Sequence, residues 1–417
     1  MITVVKNGTL VDVKVGATLT GANVVIEGTS ISYVGRDISL PEDACIIDAT
    51  GLTIMPGLID AHLHLRGIRG MNLMQWVLDP IELRAARGVA DVQKLIEAGY
   101  TAVRCAGSNT SVSLGKAIKE KTIPGPRIVA SHYGITQTGG QMDKHMFPSQ
   151  WLTGPHAYAR IADGADDCRK AAREQIRAGA GVIKILSTGG VLSEKGDPTQ
   201  PQLIPEEIAA ITTEAHRAGL KVMAHAESQE GIKNSLLNGV DTIEHAMYLD
   251  EETVDLLLKY DTIIVPTLSI LNALCTKGKD AGAPEFALRK AEAAQRVHHE
   301  SIRRAYRAGV KIAAGTDFLG TEIMPHGSNA VELELLVREV GMTPMEVLQA
   351  ATMVAAEALG MGDDIGTLEA GKLADILVMD GNPLEDVRLL QEKDRILVVI
   401  KDGDIVIDRR AQRTVAL

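Results

Sequence analysis

The chain has no apolar run approaching the roughly 20 residues of a membrane span, so no membrane partner is expected. Its start, MITVVKNGTLVDVKVGATLTG, joins no basic segment to a continuous apolar one, and no secretory leader is predicted. Positive charge is in deficit. The 43 Lys and Arg against 54 Asp and Glu leave a net charge of −11, the opposite of the basic stripe a nucleic acid selects. Cysteine is sparse: Cys45, Cys105, Cys168 and Cys275 form no CxxC pair, which suits free thiols in a cytoplasmic location. No GxGxxG follows an apolar strand, which counts against an open doubly wound sheet built for dinucleotides.

What remains is a globular composition, 45% hydrophobic and 23% charged, in 417 residues. That length exceeds one ordinary core and predicts a large domain with a smaller one. The two ends read alike. Pieces such as ITVVKNGTLVDV and NVVIEGTSISYVG near the start, and ILVVIKDGDIVID near the end, are β-branched runs cut by Gly, Asn and Asp. Residues 1–56 and 366–417 are therefore expected to form one small β-sandwich domain. Residues 57–365 have another cadence, an amphipathic helix closing on glycine and then a short apolar strand, as in KLIEAGYTAVRC, EQIRAGAGVIKIL and AYRAGVKIAAGTD. Eight such strands predict an α/β domain of the TIM type, a (β/α)8 barrel.

Catalytic groups of such barrels sit at the C-terminal ends of the strands. Here His62 and His64 end the first strand, Lys184 lies late in the fourth, His225 ends the fifth, His245 the sixth and Asp317 the eighth. Strand alternation places Asp60, His62 and His64 on one face and Ile59, Ala61, Leu63 and Leu65 on the other. Any one of these histidines alone is as readily a hydrogen-bonded core residue. Four of them with an aspartate at one mouth suit a zinc-like ion.

Lys184 interrupts the apolar strand VIKIL, where an unpaired ammonium is costly. A neutral amine there can add CO2 and become N6-carboxylysine, an anion able to bridge two cations. Alternatively the side chain snorkels to the mouth or pairs with Asp317.

These residues resemble the amidohydrolase superfamily: MPGLIDAHLHL (55–65), VIKIL, VMAHA, TIEHA, AAGTD and the closing IGTLEAGKLADILVMDGNPLEDV (365–387). The resemblance covers essentially the whole chain. It implies two divalent metal ions, usually zinc. His62, His64 and Asp317 would hold the more buried one and His225 and His245 the other, with carboxylated Lys184 bridging. Asp317 would be the catalytic general base, relaying a proton from the shared water to the leaving group. The segments GPRIVASHYGITQTGGQMD and IKILSTGGVLSEKGDPTQPQL look most like the subgroup of prolidase-like dipeptidases and carboxypeptidases releasing arginine or lysine. That likeness implies a small-molecule substrate, an N-acyl amino acid or a dipeptide, and a homo-oligomer.

Two positions depart from the pattern. Gln141 stands after TGG where relatives often carry histidine, and Glu227 lies two after His225 where histidine or tyrosine is frequent. Glu227 would welcome a cationic substrate group or else pair with Arg69 or Arg104. His132, Tyr133 and His145 are candidates for a substrate carboxylate, His145 supplying what Gln141 does not. His298 and His299 read as a helix surface, and His216 as a favourable charge at a helix C-terminus. The loop 145–164, with Trp151 and His156, is either a lid or an inert insertion. Rival functions on the same centre are hydrolysis of a carbamate, a phenylurea or another non-peptide amide or ester. A deaminase of the one-metal kind would lack Lys184, and a non-catalytic scaffold would have lost ligands.

Overall fold

A computed structural model describes residues 2–38, 43–154 and 157–413. His156 lies outside the described residues. Strands from the two ends join in one sheet of eight. The join is antiparallel pairing of Thr53–Pro56 with Ile376–Met379, in register from Pro56 opposite Ile376 to Thr53 opposite Met379. The turn after Ala17–Glu27 abuts the turn at Gly403: a Cβ on Gly403, at φ +78°, would stand 2.0 Å from the carbonyl oxygen of Gly28.

Within the expected small β-sandwich domain the hydrogen-bonded path is continuous. Its pivot is the long strand Ile2–Asp12. Residues 3–6 pair with Cys45–Asp48 and residues 9–10 with Thr53–Pro56, across register shifts at Gly8. Such shifts bend a strand and let its halves take different neighbours. One face encloses Val5, Leu10, Val24, Ile26, Ile54, Ile376, Val398 and Ile400. Val11, Met55, Leu377 and Ile396 join the cluster containing Leu95 and Ile96 of the helix Ile81–Glu97, which docks the sheet on the middle of the chain.

The middle alternates strand and helix as its cadence predicts. Gly99, Gly179, Gly219, Gly239 and Gly309 follow or cap helices with φ between +72° and +93°, the left-handed geometry that ends a helix cheaply only at glycine. Ser228 and Asp250 cap the next helices, accepting from Gly231 N at 3.2 Å and Thr253 N at 2.8 Å. The parallel strands fall into two ladders. Leu58–Leu63, Tyr100–Cys105 and Arg127–Ala130 form one; the other runs through Val182–Leu186, Lys221–Ala226, Thr242–His245 and Ile263–Val265, with two short strands, Ile135–Thr136 and Arg160–Ile161, at its edge.

An uninterrupted ring of eight regular strands is thus not what forms. The expected eighth strand, 311–317, is irregular, yet its backbone bonds to both ladders. Ala313 N donates to Ile264 O at 3.0 Å, Ala61 N to Ala314 O at 2.9 Å, and Asp317 N to His62 O at 2.7 Å. On the far side Gly181 N donates to Ala130 O at 2.8 Å. Asp317 itself has φ +58°, which turns the segment out of extended geometry. No helix among the described residues is long and apolar enough to cross a membrane.

Candidate metal centre

The strand ends deliver their side chains by local irregularity as much as by alternation. Between Asp60 and Leu63 the first strand shifts register against Tyr100–Cys105. The expectation that Asp60 shares the histidines' face is corrected. Asp60 instead accepts from Thr316 Oγ1 at 2.7 Å and Asn329 Nδ2 at 2.6 Å, while Ile59 and Ala61 pack with Ala102, Ile263, Val265 and Ala313. An extra residue in a strand re-aims the side chains beyond it, and here it lets His62 and His64 converge. His245 comes directly after Glu244, and alternation would point them apart. Positive φ at His245 (73°) and Ala246 (51°) ends the strand and turns the ring back.

Two clusters result. In the first, Nε2 of His64 lies 3.0 Å and Nε2 of His62 3.4 Å from Asp317 Oδ1. In the second, donor atoms of His225, Glu227 and His245 fall within 4.8 Å of one another. The rings of His62 and His245 bring the clusters together at 5.2 Å between centroids, and those of His225 and His245 at 4.5 Å. Lys184, 1% exposed, borders the same space. The sequence-predicted set His62, His64, Lys184, His225, His245 and Asp317 is therefore assembled in one place.

Outer contacts orient the rings. His62 Nδ1 donates to Glu244 Oε2 at 2.5 Å, His64 Nδ1 to Gly107 O at 3.0 Å and His225 Nε2 to Gly189 O at 2.9 Å. His245 Nδ1 is 2.6 Å from Thr267 Oγ1. Each ring thus has one nitrogen committed and the other available, the arrangement that metal-ligating imidazoles adopt. Behind Glu244 stands Arg104, fully buried, whose Nη2 donates to Glu244 Oε1 at 2.8 Å. Burial lowers His64 to about 4, and burial with the neighbouring Lys184 charge lowers His225 to about 3, so both rings are neutral near pH 7. Burial opposes ionisation of Asp317, but His62 and His64 hold it well below the usual carboxylate range. Burial brings Lys184 down to about 8, which frees a fraction of neutral amine. Neutral imidazoles, a carboxylate and a reactive buried amine, all aimed at one space, fit a pair of first-row divalent ions.

The centre floors a cavity. Gln141 and Glu227 line it. Gly190, in the second TGG at 188–190, lies against Gln141 and His225: a Cβ there would meet Gln141 Nε2 at 2.4 Å and His225 Cε1 at 2.9 Å. Glu227 Oε1 is 3.2 Å from His225 Nε2 and its Oε2 has no partner among the described residues. The pairing of Glu227 with Arg69 or Arg104 is corrected: Arg69 pairs with Asp91 and Arg104 with Glu244.

His132, Tyr133 and His145 do not line the cavity, which corrects their expected role as carboxylate contacts. His132, at φ +61°, turns aside and donates to Gln175 Oε1 at 2.9 Å; the Tyr133 backbone N donates to the same oxygen at 3.1 Å. His145 stands 3.7 Å from Glu194. His298 is corrected in the opposite sense. It is 1% exposed, borders the cavity and donates from Nε2 to the His245 carbonyl at 2.8 Å. The rest of the wall is apolar, with Trp76, Tyr158, Val191, Ile270 and Leu271 prominent, and it includes Lys144. Of the 145–164 loop, Tyr158 lines the cavity, and Phe147 and Leu152 fall in the same apolar cluster as Trp76.

Glu244, Arg104, Lys144 and His298 were not anticipated in these places. The first two had a signal: a charge inside an apolar strand, TIEH and TAVRC, the same anomaly that marks Lys184.

Residues 53–406 match the amidohydrolase family, and the chain belongs to it. It is a hydrolase acting on C–N bonds, with the TIM-barrel-like α/β fold of that family, whose members generally use a two-metal centre. It is similar to the ochratoxinase of Aspergillus niger, 32% identical over 412 residues, spanning 94% of this chain and 84% of the relative. Among solved structures it resembles a prolidase complexed with N-methylphosphonate-L-proline, with TM-score 0.91 and 35% identity, covering 98% of this chain and 100% of the other. A Xaa-Pro dipeptidase with bound methionine superposes with TM-score 0.86 at 33% identity, covering 98% and 100%.

Proposed function

We propose that this amidohydrolase cleaves the amide bond that joins an acyl or aminoacyl group to a C-terminal amino acid. The observation that carries the reading is the meeting of His62, His64 and Asp317 with His225 and His245 around the buried Lys184, at the floor of a largely apolar cavity. We read the two parallel ladders as halves of one (β/α)8 barrel closed through residues 311–317 and Gly181, because the backbone bonds of those residues tie one ladder to the other on both sides. The prolidase and dipeptidase relatives, and the ochratoxinase, support an amide whose released part is an amino acid.

The clusters would hold two divalent ions, zinc being the best match for imidazole and carboxylate, with Lys184 as N6-carboxylysine between them. When bound, such ions polarise a carbonyl and make water a nucleophile at neutral pH. The neutral Lys184 amine forms an N–C bond to CO2 and gives up a proton, becoming an anion that no longer burdens the strand. Asp317, ionised and bordering the cavity, takes the proton of the attacking water at Oδ and delivers it to the departing amide nitrogen. Glu244 holds the His62 ring, and Arg104 keeps Glu244 charged. The apolar wall excludes bulk water from the scissile bond.

The test is free amino-acid release by zinc-loaded protein incubated with bicarbonate and a library of dipeptides and N-acyl amino acids. Release confined to certain C-terminal residues is expected. No release from a preparation carrying two ions per chain would sink the amino-acid substrate and leave carbamates and ureas to be tried.

A further inference from the structure

The cavity wall contains a cation without an anion. Lys144 is 5% exposed, and its side chain lines the cavity. Its Nζ stands 4.5 Å from the centroid of the Tyr158 ring. The ammonium has no hydrogen bond or ion pair among the described residues. Arg66, buried to 1% exposure, stacks on the same ring at 3.8 Å and donates from Nη1 to the Tyr158 carbonyl at 3.2 Å, while its Nε finds no partner. Two cations therefore share one aromatic ring. A cation–π contact is worth about 0.5–2 kcal/mol, less than the several kcal/mol that burying an unpaired ammonium costs. An arrangement of this kind is completed by an anion brought from outside.

We infer that Lys144, seated on Tyr158 and backed by Arg66, is the subsite for a carboxylate of the substrate. The inference rests on the amide-hydrolase reading and sharpens it: the substrate is an acid that also carries a bulky apolar group, for which Trp76 and Leu271 provide the wall. It also explains how the site dispenses with His132, Tyr133 and His145, which point elsewhere. Lys144 lies three residues after Gln141, on the loop that follows TGG, so one short segment supplies both polar contacts of this wall.

The test compares N-benzoyl amino acids with their C-terminal amides, reading benzoate release by the zinc-loaded protein and its K144M and K144R variants. A charge-assisted contact predicts that wild type favours the acids through KM, and that K144M raises KM for the acids by about 10- to 100-fold while leaving the amides unchanged. K144R, which keeps the charge, should restore much of the preference. The thermal midpoint of ligand-free K144M should not fall below wild type, since the substitution removes a buried cation without an anion; a merely structural Lys144 would lower the midpoint and leave the acid-to-amide ratio alone. Benzoate release with a ratio indifferent to K144M overturns the Lys144 assignment alone. No release from any acid or amide at two ions per chain overturns the reading beneath it as well.

Discussion

The two clusters at the cavity floor are built on different principles. Around His62, His64 and Asp317 the backing is ionic: Glu244 grips His62, and Arg104 grips Glu244 with further bonds to Thr242 Oγ1 at 3.0 Å and the Ala358 carbonyl at 3.1 Å. Burial disfavours the Glu244 charge, yet Arg104 and His62 bring its carboxyl down to about 2. Around His225 and His245 the ring contacts are chiefly neutral, a glycine carbonyl and a threonine hydroxyl. The nearby Glu227 carboxyl is pushed well above its usual range by burial and by the charge of Asp317. A carboxylate behind an imidazole raises its basicity, so in the proposed two-metal centre the first cluster would be the stronger holder and the second the more exchangeable. A chelator should strip the His225–His245 side first.

The most severe way to break this comparison is to remove Asp317, to which we assign both metal binding and proton transfer. D317N should lower amino-acid release about 10²- to 10⁴-fold, read from initial rates at saturating zinc. Next comes R104M, which leaves Glu244 buried without its cation. It should cost about 3–5 kcal/mol in urea unfolding, since breaking a buried pair strands the other charge. It should also weaken the tighter zinc site about 10- to 100-fold in a chelator titration, erasing the difference between the clusters.

The smallest effect concerns Glu332, whose carboxylate accepts from Leu268 N at 2.9 Å and Ser269 N at 2.8 Å, just past the Thr267 that holds His245. Burial raises it from 4.5 to about 7. A folded-state value above the unfolded one means the folded chain binds more protons between those limits. Its contribution to stability is full below pH 4.5 and lost as pH rises through 7. Urea midpoints of wild type should decline across that window, and E332Q should show a flatter profile.

How much of this was legible depended on whether a residue's chemistry or the backbone's path decided its place. Histidine, lysine and aspartate at strand ends announce themselves by type and order, and the alternating cadence locates the strands. The same rule of buried charge, applied to Arg104 and Glu244, would have exposed the ionic backing. The bulge after Asp60 left no residue signature, because it depends on pairing with the neighbouring strand. His132 was misplaced since a positive φ, invisible in the sequence, turns it toward Gln175. His298 was recoverable: Ala287, Ala291, Ala294, His298, Ile302 and Ala305 form one buried stripe of the helix Glu285–Ala308 at spacings of three and four, and the histidine lies on it. The outer sheet was legible as β, but its continuity through Ile2–Asp12 was not, because a single strand serving different neighbours along its length looks like any other.

The central claim is that Lys184 joins the two clusters into one centre. Its most direct test is the zinc content of wild type and K184A after dialysis against zinc and bicarbonate. The account predicts two ions per chain in wild type and a loss in K184A, first from the His225–His245 side. Retention of two equally tight ions by K184A would contradict it.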